Sequence, residues 1–220
     1  MRNRSNVIVR FMAAAGLLWM AACSSSFLGG GWQNLMPGAN LEGWTIVDVT
    51  ADGPLAATPQ WSVDVNTGTV RCAGTGGRDW LRCDKKEFAD FILHVEWRFD
   101  KLADPKARYN SGVFVRNAGD WSIWHQAQAG VENAGYLFGN SPASGEPKRF
   151  TTRDQLKGNP LKPAGEWNVY DITCKGKTLS LAVNGVLTTA WDQCEVPKGY
   201  VGLEAEGFGI EFKNIRIKAL

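Results

Sequence analysis

The chain has 220 residues, of which 44% are hydrophobic and 21% charged, a composition typical of a globular protein rather than a disordered or collagenous one. Its 24 Lys and Arg residues nearly balance its 22 Asp and Glu residues, so the net charge gives no reason to expect nucleic acid as a partner. Ten Trp and 25 Gly residues favour a turn-rich β protein with aromatic surface for stacking, and two His residues are too few for a polyhistidine metal centre.

Residues 1–22 have the features of a secretory signal peptide: a basic start, a short apolar run, and two alanines directly before Cys23. The Ala-Ala-Cys ending resembles a bacterial lipobox, in which the Cys is lipidated and becomes the mature N-terminus. An ordinary cleaved signal is the alternative. Ser24, and not Asp, directly follows Cys23, which resembles the pattern of lipoproteins sorted to the outer membrane. We therefore expect a lipid-anchored protein of the cell envelope that faces the periplasm. Residues 23–31, rich in Ser and Gly, are predicted to form a flexible tether.

The rest of the chain, residues 32–220, shows apolar alternation at period two and no long helical pattern. About a dozen short strands are predicted. The clearest spans 91–99, where every second residue from Phe91 to Phe99 is apolar. Such a chain is expected to be all-β, with two antiparallel sheets packed face to face as a sandwich or jelly roll.

Two later segments stand out in chain order. Residues 139–165 contain four prolines and an excess of basic residues, which predicts a long basic loop, either a functional lid or a solvated excursion. Residues 179–189 alternate around Asn184-Gly185, a turn dipeptide whose positive φ angles match strand twist, and predict a hairpin.

Four cysteines remain once Cys23 is set aside, an even number in an oxidising compartment. Three pairings are possible. We favour Cys72 with Cys83 and Cys174 with Cys194, because each pair flanks a turn-rich stretch. A zinc site is the alternative, but the sequence contains no Cys-x-x-Cys spacing.

Several short motifs, in the right order, resemble the family of 3-keto-disaccharide hydrolases, also described as 3-keto-glucoside lyase/hydratases. They include NLMPGANLEGW at 34–44, NSGVFVR at 110–116, GYVGLEAEG at 199–207 and IEFKNIRI at 210–217. The resemblance spans essentially all of 32–218. It implies a concanavalin A-like jelly roll that cleaves a sugar already oxidised to a ketone at C3.

One position departs from this family. Where many members carry a Glu-x-Gln on a strand of the cleft, the chain has Gln126 and Gln128, so the Glu position is an amide. An amide cannot act as a general base at neutral pH, and the departure puts catalysis by that residue in doubt.

Alternation also predicts which polar side chains share a face. His125 alternates in phase with the apolar residues of its strand and is expected to be a core histidine. If the strands lie in one sheet, the polar set suits a sugar, whose hydroxyls bind planar partners and whose ring stacks on an aromatic. Solvated surface or structural ion pairs are the alternative for each residue. The set comprises His94, Glu96 and Arg98 from 91–99; Asn110 and Arg116 from 110–116; Trp124, Gln126 and Gln128 from 121–129; and Glu204 and Glu206 from 200–206.

The implied chemistry needs a base near C2 and donors near the enolate oxygen. Glu206 is the first choice for the base, followed by Glu204 and Glu96. The expected enolate donors are Arg98, Arg116 and Asn110, and the expected stacking platform is Trp124. No cofactor is expected; a divalent metal would be a possible electrophile, but nothing in the sequence fixes one.

The partners expected are a sugar or 3-keto-sugar and, through Cys23, the lipid bilayer, with no nucleic acid. Two rival hypotheses remain. A non-catalytic carbohydrate-binding lipoprotein would show stacking residues and amides without a carboxylate of raised pKa. A structural or partner-binding lipoprotein would show a flat apolar patch and no cleft.

Overall fold

The structure, a computed structural model, describes residues 27–28, 30–48, 59–76, 78–104, 106–132, 134–143, 145–158 and 160–220. The predicted signal peptide and Cys23 lie outside the described residues. Within the segment predicted to be a tether, Phe27–Leu28 form a short strand that pairs with Trp32–Asn34.

Sixteen strands and one 3-10 turn, Arg153–Gln155, make up the regular structure of the described residues. No helix in these ranges is both long and apolar enough to cross a bilayer. The strands are β1 (Phe27–Leu28), β2 (Trp32–Asn34), β3 (Trp44–Asp48), β4 (Trp61–Asp64), β5 (Thr69–Cys72), β6 (Arg78–Cys83), β7 (Phe91–Phe99), β8 (Ser111–Asn117), β9 (Trp124–Ala129), β10 (Leu137–Ala143), β11 (Glu146–Thr151), β12 (Asn168–Lys175), β13 (Thr178–Val183), β14 (Val186–Trp191), β15 (Tyr200–Glu206) and β16 (Ile210–Ala219).

The strands form two antiparallel sheets, so the predicted all-β jelly roll is confirmed. The nine-stranded sheet runs β1-β2-β16-β7-β12-β13-β14, with β5 also paired to β16 and β4 to β5. The seven-stranded sheet runs β11-β10-β9-β8-β15-β6-β3. In each sheet, half of the strand pairs join strands that are consecutive in the chain, and the other half join strands distant in sequence, as a jelly roll requires.

The core lies between the two sheets and follows from the alternation in the central strands. Along β7, every second side chain from Phe91 to Phe99 is buried. Trp97 meets Tyr170 of β12 edge to face at 5.2 Å, and the Tyr170 hydroxyl donates to the Gln128 carbonyl of the opposite sheet at 2.5 Å. Each large apolar side chain buried here stabilises the fold by about 1.5–3 kcal/mol.

The predicted hairpin at 179–189 is confirmed as β13 and β14. Asn184 and Gly185 take φ angles of 50° and 83°, the positive values that a tight hairpin turn requires.

The loop predicted over 139–165 is wrong in its first half, which forms the hairpin of β10 and β11. The prolines are tolerated because Pro142 lies beyond the end of β9, where no further ladder bond is needed, and Pro147 lies on the edge strand β11. Phe150 of β11 stacks on Trp191 with centroids 3.7 Å apart, which fixes the hairpin against the other sheet.

The two predicted disulfides are also wrong: Cys72, Cys83, Cys174 and Cys194 are all free and buried. The turn-rich stretch after Cys72 crosses from the nine-stranded to the seven-stranded sheet, so it does not bring its flanking strands into a hairpin. The Cys194 sulfur instead contacts His125 Nε2 at 3.7 Å. Burial raises the pKa of Cys72 to about 12, which keeps this thiol protonated and unreactive.

Candidate functional site

A cleft lies on the outer face of the seven-stranded sheet, opposite the face that packs on the core. Alternation along β9 and β15 explains its position, because His125, Ala127, Leu203 and Ala205 point into the core and their neighbours point outward. The cleft encloses about 370 Å³. Its lining comes from both sides of β8: Arg78, Asn110, Trp121, Trp124, Gln126, Gln128, Tyr136, Phe138, Arg149, Glu204 and Glu206.

Glu204 and Gln126 meet at the floor of the cleft, although they stand on strands separated by β8. The Gln126 amide donates to Glu204 Oε2 at 2.5 Å. The contact passes over Gly112 of β8, where an added Cβ would lie 2.0 Å from Gln126 Nε2. The glycine of the NSG motif is therefore required for the contact.

Glu204 is 4% exposed, and its environment favours the neutral acid. Burial and the nearby charge of Glu206 raise the pKa of Glu204 to about 8, against the opposing effects of the Gln126 hydrogen bond and of Arg78. A carboxyl group that titrates near neutral pH can both accept and return a proton.

Glu206, the first choice from the sequence, lies nearer the mouth of the cleft. Its carboxylate pairs with Arg78 at 2.6 Å, and its side chain is 23% exposed. The structure thus brings the two carboxylates together, as alternation predicted, but gives them different environments. One carboxyl group is partly exposed and paired with a guanidinium, and the other is buried against an amide.

An aromatic wall borders the carboxylates. The indoles of Trp121 and Trp124 are nearly parallel, 7° apart in plane with centroids 5.7 Å apart, and Phe138 meets Trp124 edge to face at 5.2 Å. Trp121 has a φ of 65°, a strained conformation for a bulky residue, which is a pattern found at binding sites. The Arg149 guanidinium lies 4.6 Å over the Trp124 ring.

Sequence reasoning found Trp124 but missed Trp121, Phe138 and Arg149. A second tryptophan three residues before Trp124, directly after Gly119-Asp120, was a usable signal for Trp121. Arg149 was missed because its strand was predicted to be a loop.

The polar end of the cleft is formed by Asn110 and Gln128, as alternation predicted. The Gln128 amide donates to Asn110 Oδ1 at 2.5 Å and to the Ser111 carbonyl at 3.1 Å. These two residues and Tyr136 also line an adjoining cavity of about 670 Å³, here called the second lobe.

His94, Glu96 and Arg98 are not part of this site, and their assignment to it was wrong. They lie on β7 of the nine-stranded sheet, on its outer face. Alternation within a strand gives the face of each residue but not the sheet to which the strand belongs. The prediction that all four polar strands share one sheet therefore failed for this strand alone.

The three β7 residues make polar contacts typical of a solvated sheet face. His94 Nδ1 lies 2.7 Å from Asp171, and Arg98 pairs with Glu211 at 2.7 Å. Burial opposes ionisation of Glu96, but the Asn214 hydrogen bond and the Lys213 charge together hold the pKa of Glu96 below its ordinary value. A carboxylate so stabilised is a poor base.

Arg116 is also outside the cleft, contrary to prediction. Its φ of 48° marks a bulge where β8 shifts register against β15, and the bulge breaks the alternation that placed Arg116 beside Asn110. The side chain is fully buried and donates to the carbonyls of Ala89, Gly176 and Val196 and to Asp90. It joins loops at one end of the sandwich.

His125 is a core histidine, as predicted. Burial lowers its pKa to about 4, and Nε2 lies 2.9 Å from Ser141 Oγ. Within the described ranges, no group of three or more His, Cys, Asp or Glu side chains is placed to share a metal ion.

A two-sheet jelly roll with an aromatic-walled cleft of amides and carboxylates on one sheet face is the architecture of carbohydrate-active β-sandwich proteins. The family model for the 3-keto-alpha-glucoside-1,2-lyase-like domain matches residues 31–218. The chain belongs to this family, so the resemblance seen in its motifs is confirmed.

Solved structures show the same fold. A protein of Parabacteroides distasonis ATCC 8503, described as a candidate glycosyl hydrolase, is 23% identical with a TM-score of 0.58 over 86% of this chain and 99% of its own. The carbohydrate-binding module CBM66 from Bacillus subtilis is 13% identical, also with a TM-score of 0.58, over 84% of this chain and 100% of its own. No functionally curated protein matches the sequence.

Proposed function

We propose that the protein cleaves 3-keto-glycosides by elimination and hydration, with Glu204 as the base that removes the C2 proton. The observation that carries this proposal is the buried Glu204 carboxyl, held by Gln126 on the floor of a sugar-sized cleft with a pKa near 8. Family membership supports the substrate class.

The reaction follows from the acidity of the substrate. A ketone at C3 acidifies the C2 hydrogen, so a carboxylate can remove it and leave an enolate. The C1–oxygen bond then breaks, the aglycone leaves and takes up a proton, and a C1=C2 double bond remains. Water adds across this bond, its oxygen at C1 and its hydrogen at C2, so that the net reaction is hydrolysis.

The contacts favour Glu204 over Glu206 as the base. Glu206 is paired with Arg78 at 2.6 Å, so its Oε1 is already bonded to a guanidinium. Gln126 donates a hydrogen bond to Oε2 of Glu204. In this proposal the bond orients the carboxyl group and leaves its other oxygen to act on the substrate. In this proposal Gln126 orients the base and does not replace it.

The neighbouring residues have the binding roles that such a substrate needs. Because Gln128 donates to the carbonyl oxygen of Asn110, the Asn110 amide nitrogen is left to donate, and we assign it to the enolate oxygen. The wall of Trp121 and Trp124 provides an apolar surface for the sugar ring.

The second candidate function is sugar binding without cleavage. The amide of Gln126, at the position where the family resemblance leads us to expect a carboxylate, is the observation that favours it. This candidate uses the same cleft, and it predicts that unoxidised glycosides bind and that no 3-keto-glycoside is consumed.

The deciding experiment incubates the purified protein with a panel of 3-keto-glucosides and follows the ultraviolet absorbance of the enone. We expect turnover by the wild type and a loss of about 10²–10⁴-fold in Glu204→Gln, which keeps the shape of the base but removes its proton affinity. Glu195→Gln, on an exposed surface, is the matched control. Full turnover by Glu204→Gln would refute the assignment of the base, and absence of turnover by the wild type on the whole panel would favour the binding candidate.

We also propose that the protein works at the periplasmic face of the outer membrane, anchored through a lipidated Cys23. The basic, apolar and Ala-Ala-Cys features of residues 1–23 support this location.

A further inference from the structure

The second lobe adjoins the proposed catalytic cleft and differs from it in charge. It shares Asn110, Gln128 and Tyr136 with the cleft, so the two spaces adjoin. Its own charged lining consists of three basic side chains and one acidic side chain, Lys106, Arg108, Arg153 and Glu132. The lobe is therefore a basic extension of the site.

Most basic groups around this space have no carboxylate partner in the described part of the chain. Arg78 is paired with Glu206, but within the described ranges no carboxylate forms an ion pair with Lys106, Arg108, Arg149 or Arg153. Aromatic rings hold two of them in place: Arg153 lies 5.7 Å over Tyr136, and Arg149 lies 4.6 Å over Trp124. Cations that lack an ion-pair partner attract an anion to the mouth of the site.

Resting on the proposed cleavage, we infer that the second lobe receives the aglycone of the substrate and that this aglycone carries an anionic group, a carboxylate, sulfate or phosphate. When a sugar ring lies between Glu204 and the tryptophan wall, the second lobe is the adjoining space into which the group at C1 can extend. Arg108 and Arg153 supply planar donors of the kind that bind such oxyanions in pairs.

The test compares two substrates of equal size that differ by one charge, the 3-keto-glucosides of 4-hydroxybenzoate and 4-hydroxybenzamide. We expect the wild type to prefer the benzoate in kcat/KM by about tenfold at low salt, since exposed ion pairs contribute a few-fold each. The preference should fall to about twofold in 0.5 M NaCl, because exposed charges are screened.

The variant Arg108→Gln/Arg153→Gln should lose most of this preference. Lys175→Gln/Lys177→Gln, which removes two exposed charges far from the cleft, should keep it. Because the two aglycones differ as leaving groups, the informative quantity is the substrate ratio of each variant divided by that of the wild type. Melting temperatures of both variants verify that the fold is retained.

A binding measurement separates this inference from the proposed function. Calorimetric titration uses the unoxidised glucosides of the same aglycones, which lack the ketone needed for elimination. Tighter binding of the benzoate without any turnover of 3-keto-substrates supports the anionic subsite and refutes cleavage. Turnover with equal preference for both aglycones refutes the subsite alone. Absence of both turnover and discrimination refutes both.

Discussion

Gln126 and Glu204 make their hydrogen bond directly over Gly112, and the glycine leaves the space through which the amide reaches the carboxyl. The contact joins β9 to β15 across β8 and depends on the smallest residue of the central strand.

Replacing Gly112 with Ala should displace Gln126, because the new Cβ would overlap its amide. We expect a loss of about 1–3 kcal/mol in the free energy of unfolding, the usual cost of overpacking, and weaker activity in the fraction that folds. Urea denaturation measures the first effect. Gly119→Ala is the control, since an added Cβ there meets its nearest atom at 3.4 Å. Equal stability of Gly112→Ala and the wild type would contradict the packing argument.

The pH dependence of turnover should report on the same hydrogen bond. Burial raises the pKa of Glu204 to about 8, and the Gln126 hydrogen bond opposes that rise. The ionised carboxylate is the base, so kcat/KM should increase with pH and level off above about pH 9. In Gln126→Ala the midpoint should move to higher pH. A midpoint that stays unchanged, or moves to lower pH, would exclude Gln126 as the group that stabilises the charge.

Glu204 should also make the fold less stable at high pH. Its folded-state pKa is about 8 and its unfolded value is about 4.3, so its contribution is complete below about pH 4 and is lost as pH rises through 8. The full effect is on the order of 5 kcal/mol. Glu204→Gln should therefore gain stability relative to the wild type between pH 5 and pH 9, whereas Glu195→Gln should not. Parallel urea curves at both pH values test this, and a constant difference would argue against the raised pKa.

Arg116 and Arg98 should differ strongly when each is changed to Met. Arg116 is fully buried and satisfies three carbonyls and Asp90, so its loss should destabilise the fold by about 3–5 kcal/mol. Arg98 is a partly exposed partner of Glu211, and its loss should cost less than about 1 kcal/mol. Thermal unfolding of the two variants provides the comparison, and similar losses would mean that the buried network contributes little.

Lipidation of Cys23 is testable on protein extracted from membranes. Mass spectrometry of the N-terminal peptide should show an acylated Cys23, and Cys23→Ser should release the protein from the membrane fraction. A soluble form that begins beyond Cys23 and carries no acyl mass would refute the anchor.

The face of each polar side chain was predictable from the sequence where strands were regular. Alternation placed Gln126 and Glu204 on the outer face of β9 and β15, and both line the cleft. It gave the correct face for Glu96 as well, but the identity of its sheet depends on pairings between distant strands, which a local pattern does not encode.

Irregular backbone limited the rest of the prediction. The positive φ of Arg116 marks a bulge that interrupts the alternation of inward and outward side chains along β8. No local sequence signal marks that bulge. The prolines of β10 and β11 indicate a loop by composition, yet they fit a hairpin because they lie where ladder bonds are not required.

Substitutions on the hairpin of β10 and β11 have different consequences from substitutions on the interior strands of the sheet. Gln126 and Glu204 stand on interior strands, and two inter-strand spacings of about 4.8 Å fix their separation, so the spacing of the reacting groups is as rigid as the sheet. Arg149 stands on β11, which pairs on one side only among the described strands. Residues on that strand can be substituted, or the strand lengthened, without altering the hydrogen bonds between the interior strands. Substrate selectivity can therefore change through substitutions on the edge strand β11, while the reacting groups on β9 and β15 keep their arrangement.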